Sequence, residues 1–331
     1  NCSIRKTGAF RGMGASNGNS YKGISVDLSK NLLIENNRVD TTGYVAIEFD
    51  GSNVLVKNNV VNYFCFNKDD AGGIYSWIPA SGEIDVNYVN RVIKGNIVMN
   101  GIGAPDGRSS TNPFVSGIYL DGTIMNVEVL DNTVFNMGKN GIHCNNPDNI
   151  TISGNTSFNN LNAVSFMRWP WATISGLTIK KNIFYPKFSN QRNLYYTNAA
   201  LNEPDSTTLQ EILHTLGNID SNIHSSSNPT GFTYEVYSNE NGSLIPFAPQ
   251  SIEGWRSYSG QDIHSTKPFR EPPTYYLRGT TGSNTVSNGT FNQNMIGVTV
   301  IGTAVSAAWD NTGIINGGAL KVMMNNPVPN R

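Results

Sequence analysis

The chain has 331 residues, 14% of them charged, with a net charge of −1. That balance excludes an electrostatic nucleic-acid binder and a polybasic membrane patch. No run of about 18 apolar residues exists to span a bilayer, and the 33 glycines and plentiful asparagines alternate with β-branched residues, which is repeated turn chemistry rather than disorder.

Asn1 already lies inside repeat material, so the chain reads as a fragment or mature piece of a longer protein. One phrase then recurs: a small residue, a branched apolar anchor and three alternating positions. It appears as Gly23-Ile24-Ser25-Val26-Asp27, Ala46-Ile47-Glu48-Phe49-Asp50, Gly73-Ile74-Tyr75-Ser76-Trp77, Gly117-Ile118-Tyr119-Leu120-Asp121, Gly141-Ile142-His143-Cys144-Asn145 and Ala163-Val164-Ser165-Phe166-Met167. The anchors are spaced by 23, 27, 44, 24 and 22 residues. A second apolar segment follows each of the first five and ends in Asn, as in Leu33 to Asn37, Leu55 to Asn59 and Val92 to Asn96, and a third short segment comes after it.

Each period therefore holds about three short strands. That is too short for a strand–helix–strand unit, and a propeller blade needs about 40 residues. One coil per period suits a stacked β-solenoid, with the recurrent Asn forming an in-register amide ladder. On this pattern the first 190 residues resemble the right-handed parallel β-helix of the pectin-lyase-like superfamily. The two long periods place extra loops at 78–91 and 100–116, beside the coil of Tyr75 and Trp77.

Residues 191–270 read as irregular final coils and a cap, with a short helix over Thr207–Leu216. The segment from Trp255 to His264-Ser265 resembles a phrase found late in bacterial β-helix carbohydrate enzymes. Residues 271–284 read as a linker. Asn288 to Phe291, Trp309-Asp310 and Gly317 to Val322 resemble the opening of a carbohydrate-binding β-sandwich, cut short at 331. The predicted class is thus all-β: a right-handed parallel β-helix, irregular C-terminal coils, and a partial β-sandwich or β-cap. Of the three cysteines, Cys144 falls in an interior slot, and a Cys2–Cys65 bridge is left open.

Alternate strand residues face opposite sides. The anchors and the second residues after them are apolar in nearly every coil and face inward. The first outward column is Ser25, Glu48, Tyr75, Tyr119, His143, Ser165, and the second is Asp27, Asp50, Trp77, Asp121, Asn145, Met167. Tyr75, Trp77 and Tyr119 offer flat amphipathic surfaces for sugar rings; the plainer alternative is that they cover the outer sheet beneath a loop. Asp70, four residues before Ile74, sits at the edge of this face or caps a turn.

Glycosidases need two carboxyl groups about 5–9.5 Å apart, and coils stack at about 4.8 Å. Asp121 and Asp70 form the predicted catalytic pair, with Glu48 in support. Asp50, His143, Asn145, Arg168 and Trp169, with Trp171, complete the predicted substrate surface. The phrases Asp70-Ala71-Gly72-Gly73-Ile74-Tyr75 and Gly117 to Gly122 are similar to segments of bacterial β-helix glycoside hydrolases, although Ala71 and the single Asp121 depart from that pattern. The resemblance implies a secreted, periplasmic or cell-surface hydrolase acting on a poly- or oligosaccharide. A monomer with no required cofactor, no nucleic-acid partner and no membrane span is expected. One alternative is a polysaccharide lyase, using Arg168 or Arg108 and calcium held by Asp69, Asp70 and Asp121. The other is a non-catalytic glycan-binding surface protein.

Overall fold

The computed structural model describes residues 1–10, 20–79, 88–101, 103–104, 113–169, 171–199, 206–226, 234–238, 243–244, 251–268, 305–310 and 319–324. The chain divides into two compact units, Asn1–Arg270 and Glu271–Arg331.

In the first unit the chain visits three sheets in turn and then repeats the circuit one level higher, which makes it a parallel β-helix. The site-bearing sheet takes Ile24–Ser29, Ile47–Gly51, Ala71–Ile78, Val115–Gly122, Asn140–Asn145, Asn162–Arg168, Arg192–Asn198 and Tyr234–Ser238 in spatial order, all parallel. A second sheet runs from Leu32–Glu35 to Gly217–Asp220, and a third from Ser3–Thr7 to Ile223–His224. The anchors stack as direct partners: Ile24 on Ile47, Ile47 on Ile74, Ile74 on Ile118, Ile118 on Ile142 and Ile142 on Val164. The series continues past residue 190, through Leu194 and Tyr234.

Steric fit explains the glycine before Ile74, Ile118 and Ile142. A Cβ on Gly73, Gly117 or Gly141 would overlap Val98, Val134 or Ser157 of the facing sheet. Inward, Phe49, Ile74, Ile118, Leu120, Ile142, Cys144, Val164 and Phe166 are buried in one continuous core. Ser76 is the polar exception, and it meets Arg91, a guanidinium inside the solenoid between the rings of Phe49 and Tyr88 at 5.4 and 5.2 Å.

The turns carry the asparagine. Asn36, Asn58, Gly95, Asp131, Gly154, Lys181 and Ser221 all have φ between 54° and 71°, a left-handed bend that Asn and Gly adopt most readily. The next residue is always Asn. Asn37, Asn59, Asn96, Asn132, Asn155 and Asn182 each donate Nδ2 to the Oδ1 of the Asn one coil on. The last rung, Asn222, donates to Asp262 at 3.2 Å. An outer ladder runs the opposite way, from Gln191 through Asn159, Asn136, Asn100 and Asn62 to Asp40.

A helix spans Ser206–Thr215, close to its predicted place. The segment around Trp255 forms a second, Ile252–Ser259, capped by Ser251 and ended by left-handed Gly260. Cys2, Cys65 and Cys144 are free thiols. Among the described residues no helix is long and apolar enough to cross a membrane. In the second unit, Val305–Asp310 pairs antiparallel with Ala319–Met324. The expected linker, and Asn288 to Phe291, lie outside the described residues.

Candidate functional site

Four adjacent strands build the site. On the outer face of the site-bearing sheet, the first column stacks as predicted: Ser25, Glu48, Tyr75, Tyr119, His143, Ser165. Its middle is a ladder of rings, with Tyr75 edge-on to Tyr119 at 5.3 Å and Tyr119 against His143 at 4.9 Å. Phe114 covers both Tyr119 and His143. Tyr119 and His143 are consequently only 2% and 3% exposed. The second column keeps Trp77 beside Asp121 and Asn145 beside Met167. Asp27 leaves it, because pairing is irregular between Val26 and Ser29.

A pocket of about 590 Å³ opens over the second column. Its acids are Asp69, Asp70 and Asp121; its indoles are Trp77, Trp169 and Trp171. Phe114, Tyr119, Asn145, Asn146 and Met167 complete most of the wall. The structure thus gathers the predicted pair, Asp70 and Asp121, around one space.

Asp121 is held on three sides. Tyr75 donates to Oδ2 at 2.7 Å, while Asn145 Nδ2 and the Gly122 backbone N–H donate to Oδ1 at 2.6 and 2.7 Å. Burial, followed by the Asp121 charge, pushes the Tyr75 hydroxyl far above the ordinary phenol range, so it remains a donor. Burial and then Asp121 do the same to Tyr119.

Asp70 comes from the turn into Ala71–Ile78 and is exposed at the rim. It has φ of 57°; its N–H donates to Phe114 O at 2.7 Å, and its carbonyl accepts from Tyr44 at 3.1 Å. The neighbouring Asp69 accepts from the Phe114 N–H at 3.0 Å. Two bonds therefore pin this turn to the start of the next coil.

Two of the indoles are held together. Trp169 and Trp171 stack at 5.3 Å with planes 6° apart, and Trp171 and Trp77 are 59% and 51% exposed. Asn146 accepts from the Trp169 N–H at 2.7 Å and donates to Gly122 O at 2.8 Å, so the platform is tied to the strand end bearing Asp121.

Other predicted residues stand away from this pocket. Glu48 pairs with Lys22 and accepts from Ser25 at 2.6 Å. Asp50 accepts from Gly51 N–H, and burial pushes its carboxyl up despite the attraction of Arg91. Arg168 donates Nε to Ala172 O at 3.1 Å. His143 is buried behind the wall; burial, then repulsion from Lys139, pushes it down to about 3, so it is neutral and lies out of reach of a ligand. Arg108 lies outside the described residues. Among those described, no three His, Cys, Asp or Glu side chains gather to hold a metal ion. Asp69, Asp70 and Asp121 share the pocket, and Asp69 accepts from the Phe114 N–H.

Two wall residues escape sequence reasoning. Phe114 ends the long inserted segment, where no column exists to place it. Asn146 directly follows the fifth phrase, and its left-handed φ of 42° gave no alternation signal.

Comparisons of the chain with protein-family models, with curated proteins and with solved structures find no match. Fold and site together define a parallel β-helix with an acid-and-indole pocket on its outer face.

Proposed function

We propose that this chain is a secreted glycoside hydrolase of the right-handed, pectin-lyase-like β-helix type, cleaving a poly- or oligosaccharide in the pocket over the second column. The observation that carries this reading is the convergence of Asp70 and Asp121, from adjacent coils, on a pocket walled by three indoles. Glycosidic cleavage needs two carboxyl groups in different roles. Asp121, whose oxygens accept three hydrogen bonds, suits the acceptor role of base or nucleophile. Asp70, the second carboxyl group of the pair at the pocket, is left the role of proton donor to the leaving oxygen.

Lining charge narrows the substrate. A uronate would set its carboxylate among three aspartates, where like charges repel. The pocket therefore favours neutral sugar units laid against the indoles.

The test is product analysis on matched neutral and uronide glycans, with wild type, Asp121→Asn and Asp70→Asn. Neutral glycans hydrolysed by wild type and spared by both variants support the reading. Unsaturated uronate products would identify a lyase, and glycan binding with no wild-type turnover would identify a binding protein.

A further inference from the structure

His143 is a buried titratable group for which the proposed chemistry has no use, and its surroundings form a chain. Ser165 Oγ lies 2.6 Å from Nδ1. The ring's Nε2 and the Oδ1 of Asn145 are both buried polar atoms with no hydrogen-bond partner. Asn145 stands two residues along the same strand, on the same face, and its side chain and the Ser165 backbone are the two hydrogen-bonding groups that oppose the effect of burial on His143. Beyond it, Asn145 Nδ2 donates to Asp121 at 2.6 Å and to the Tyr119 hydroxyl at 3.0 Å.

We propose that His143 is a positioning residue that fixes the amide orientation of Asn145 and, through it, Asp121. Shape alone leaves an Asn amide free to sit either way round. With Ser165 donating to Nδ1, the neutral ring carries its proton on Nε2 and presents a donor to Asn145 Oδ1. Nδ2 is then the end that meets Asp121. In the other tautomer Nε2 would present a lone pair to Oδ1, and a flipped amide would set its oxygen against the carboxylate. One tautomer and one amide orientation satisfy all four groups. The rings of Phe114 and Tyr119 pack against His143, both orphaned atoms are closed to solvent, and among the described residues no other group donates to Asn145 Oδ1.

Only the kinetic arm of the test rests on the hydrolase reading. Nitrogen NMR of the wild type, in which His143 is one of four histidines, should show a neutral Nε2–H ring that keeps its tautomer under mild acid. His143→Phe retains the ring packing and loses the donor; kcat should fall about 100-fold with KM unchanged, the cost of a roughly 1 Å misplacement. His143→Gln returns an N–H and should recover most of kcat, and Ser165→Ala should weaken the tautomer preference. An Nδ1–H ring, or full kcat in folded His143→Phe, overturns the proposal. If His143→Phe does not fold, the wild-type tautomer and Ser165→Ala decide. Absence of turnover in wild type would remove the hydrolase reading and leave the tautomer result standing.

Discussion

Asn145 donates from Nδ2 to Asp121 Oδ1 at 2.6 Å, from a residue 24 positions later and one coil away. A solenoid makes such contacts cheap: the stacking that pairs Ile118 with Ile142 also sets the acid beside its donor. Asp121→Asn should therefore leave the fold intact and lower turnover by about 10² to 10⁴-fold, the range for loss of a catalytic acid or base. Glycan binding, followed through indole fluorescence, should persist. Unchanged turnover in this variant would remove Asp121 from the chemistry.

The indole platform carries a separate prediction. Trp171 is 59% exposed and stacks on Trp169. Trp171→Ala should raise KM about tenfold, equivalent to ~1.4 kcal/mol, with kcat nearly constant. Thermal stability should hardly move, because an exposed side chain contributes little to the core. A drop in kcat with constant KM would place the platform away from the ligand.

Much of this was legible from the chain, for a definite reason. The phrase containing Ile24, Ile47, Ile74, Ile118, Ile142 and Val164 repeats, so one register decision placed the first outward column and most of the second, Asp27 excepted, and the structure stacks those anchors directly. Trp77 and Asp121 were neighbours by the same logic. Burial was legible only in part. Cover by a loop was the plainer alternative for Tyr119, and it holds there; His143 read as a surface group because alternation assigns a face and says nothing of what covers it. Phe114, from a segment with no periodicity, covers them. Glu48 read as a support for the catalytic pair because Lys22 precedes the repeat unit, and its ion pair depends on the third dimension.

The two amide ladders should differ sharply in weight. Asn132 is 1% exposed; its side chain donates to Ile93 O and Asn155, and accepts from Asn96. Asn132→Ala leaves several buried groups unpaired, at about 1–3 kcal/mol each before relaxation. A loss of about 3 kcal/mol or more is expected in denaturant unfolding. Asn136 sits on the outer ladder with φ of 62°. Asn136→Gly keeps that backbone, and water replaces the lost amide, so the expected cost is under about 1 kcal/mol. Equal losses would show that the buried ladder is no more than a solvated turn feature.

Asp262 closes the buried ladder and ties stability to pH. Burial pushes its carboxyl up, but attraction from His224 and hydrogen bonds from His224, Ser265 and Asn222 outweigh this and hold it below the usual carboxylate range. Trp255 also donates to it, at 2.8 Å. A folded pKa below the unfolded value, about 3.9, means that its stabilisation is full above about pH 4 and is withdrawn as pH falls through the folded value. Asp262→Asn keeps a residue suited to its left-handed φ of 54° and removes the charge. The variant should unfold more easily than wild type at pH 7, with the gap narrowing as pH drops below about 4. A gap that stays constant with pH would assign the stabilisation to shape and neutral hydrogen bonding rather than to the buried carboxylate that ends the ladder.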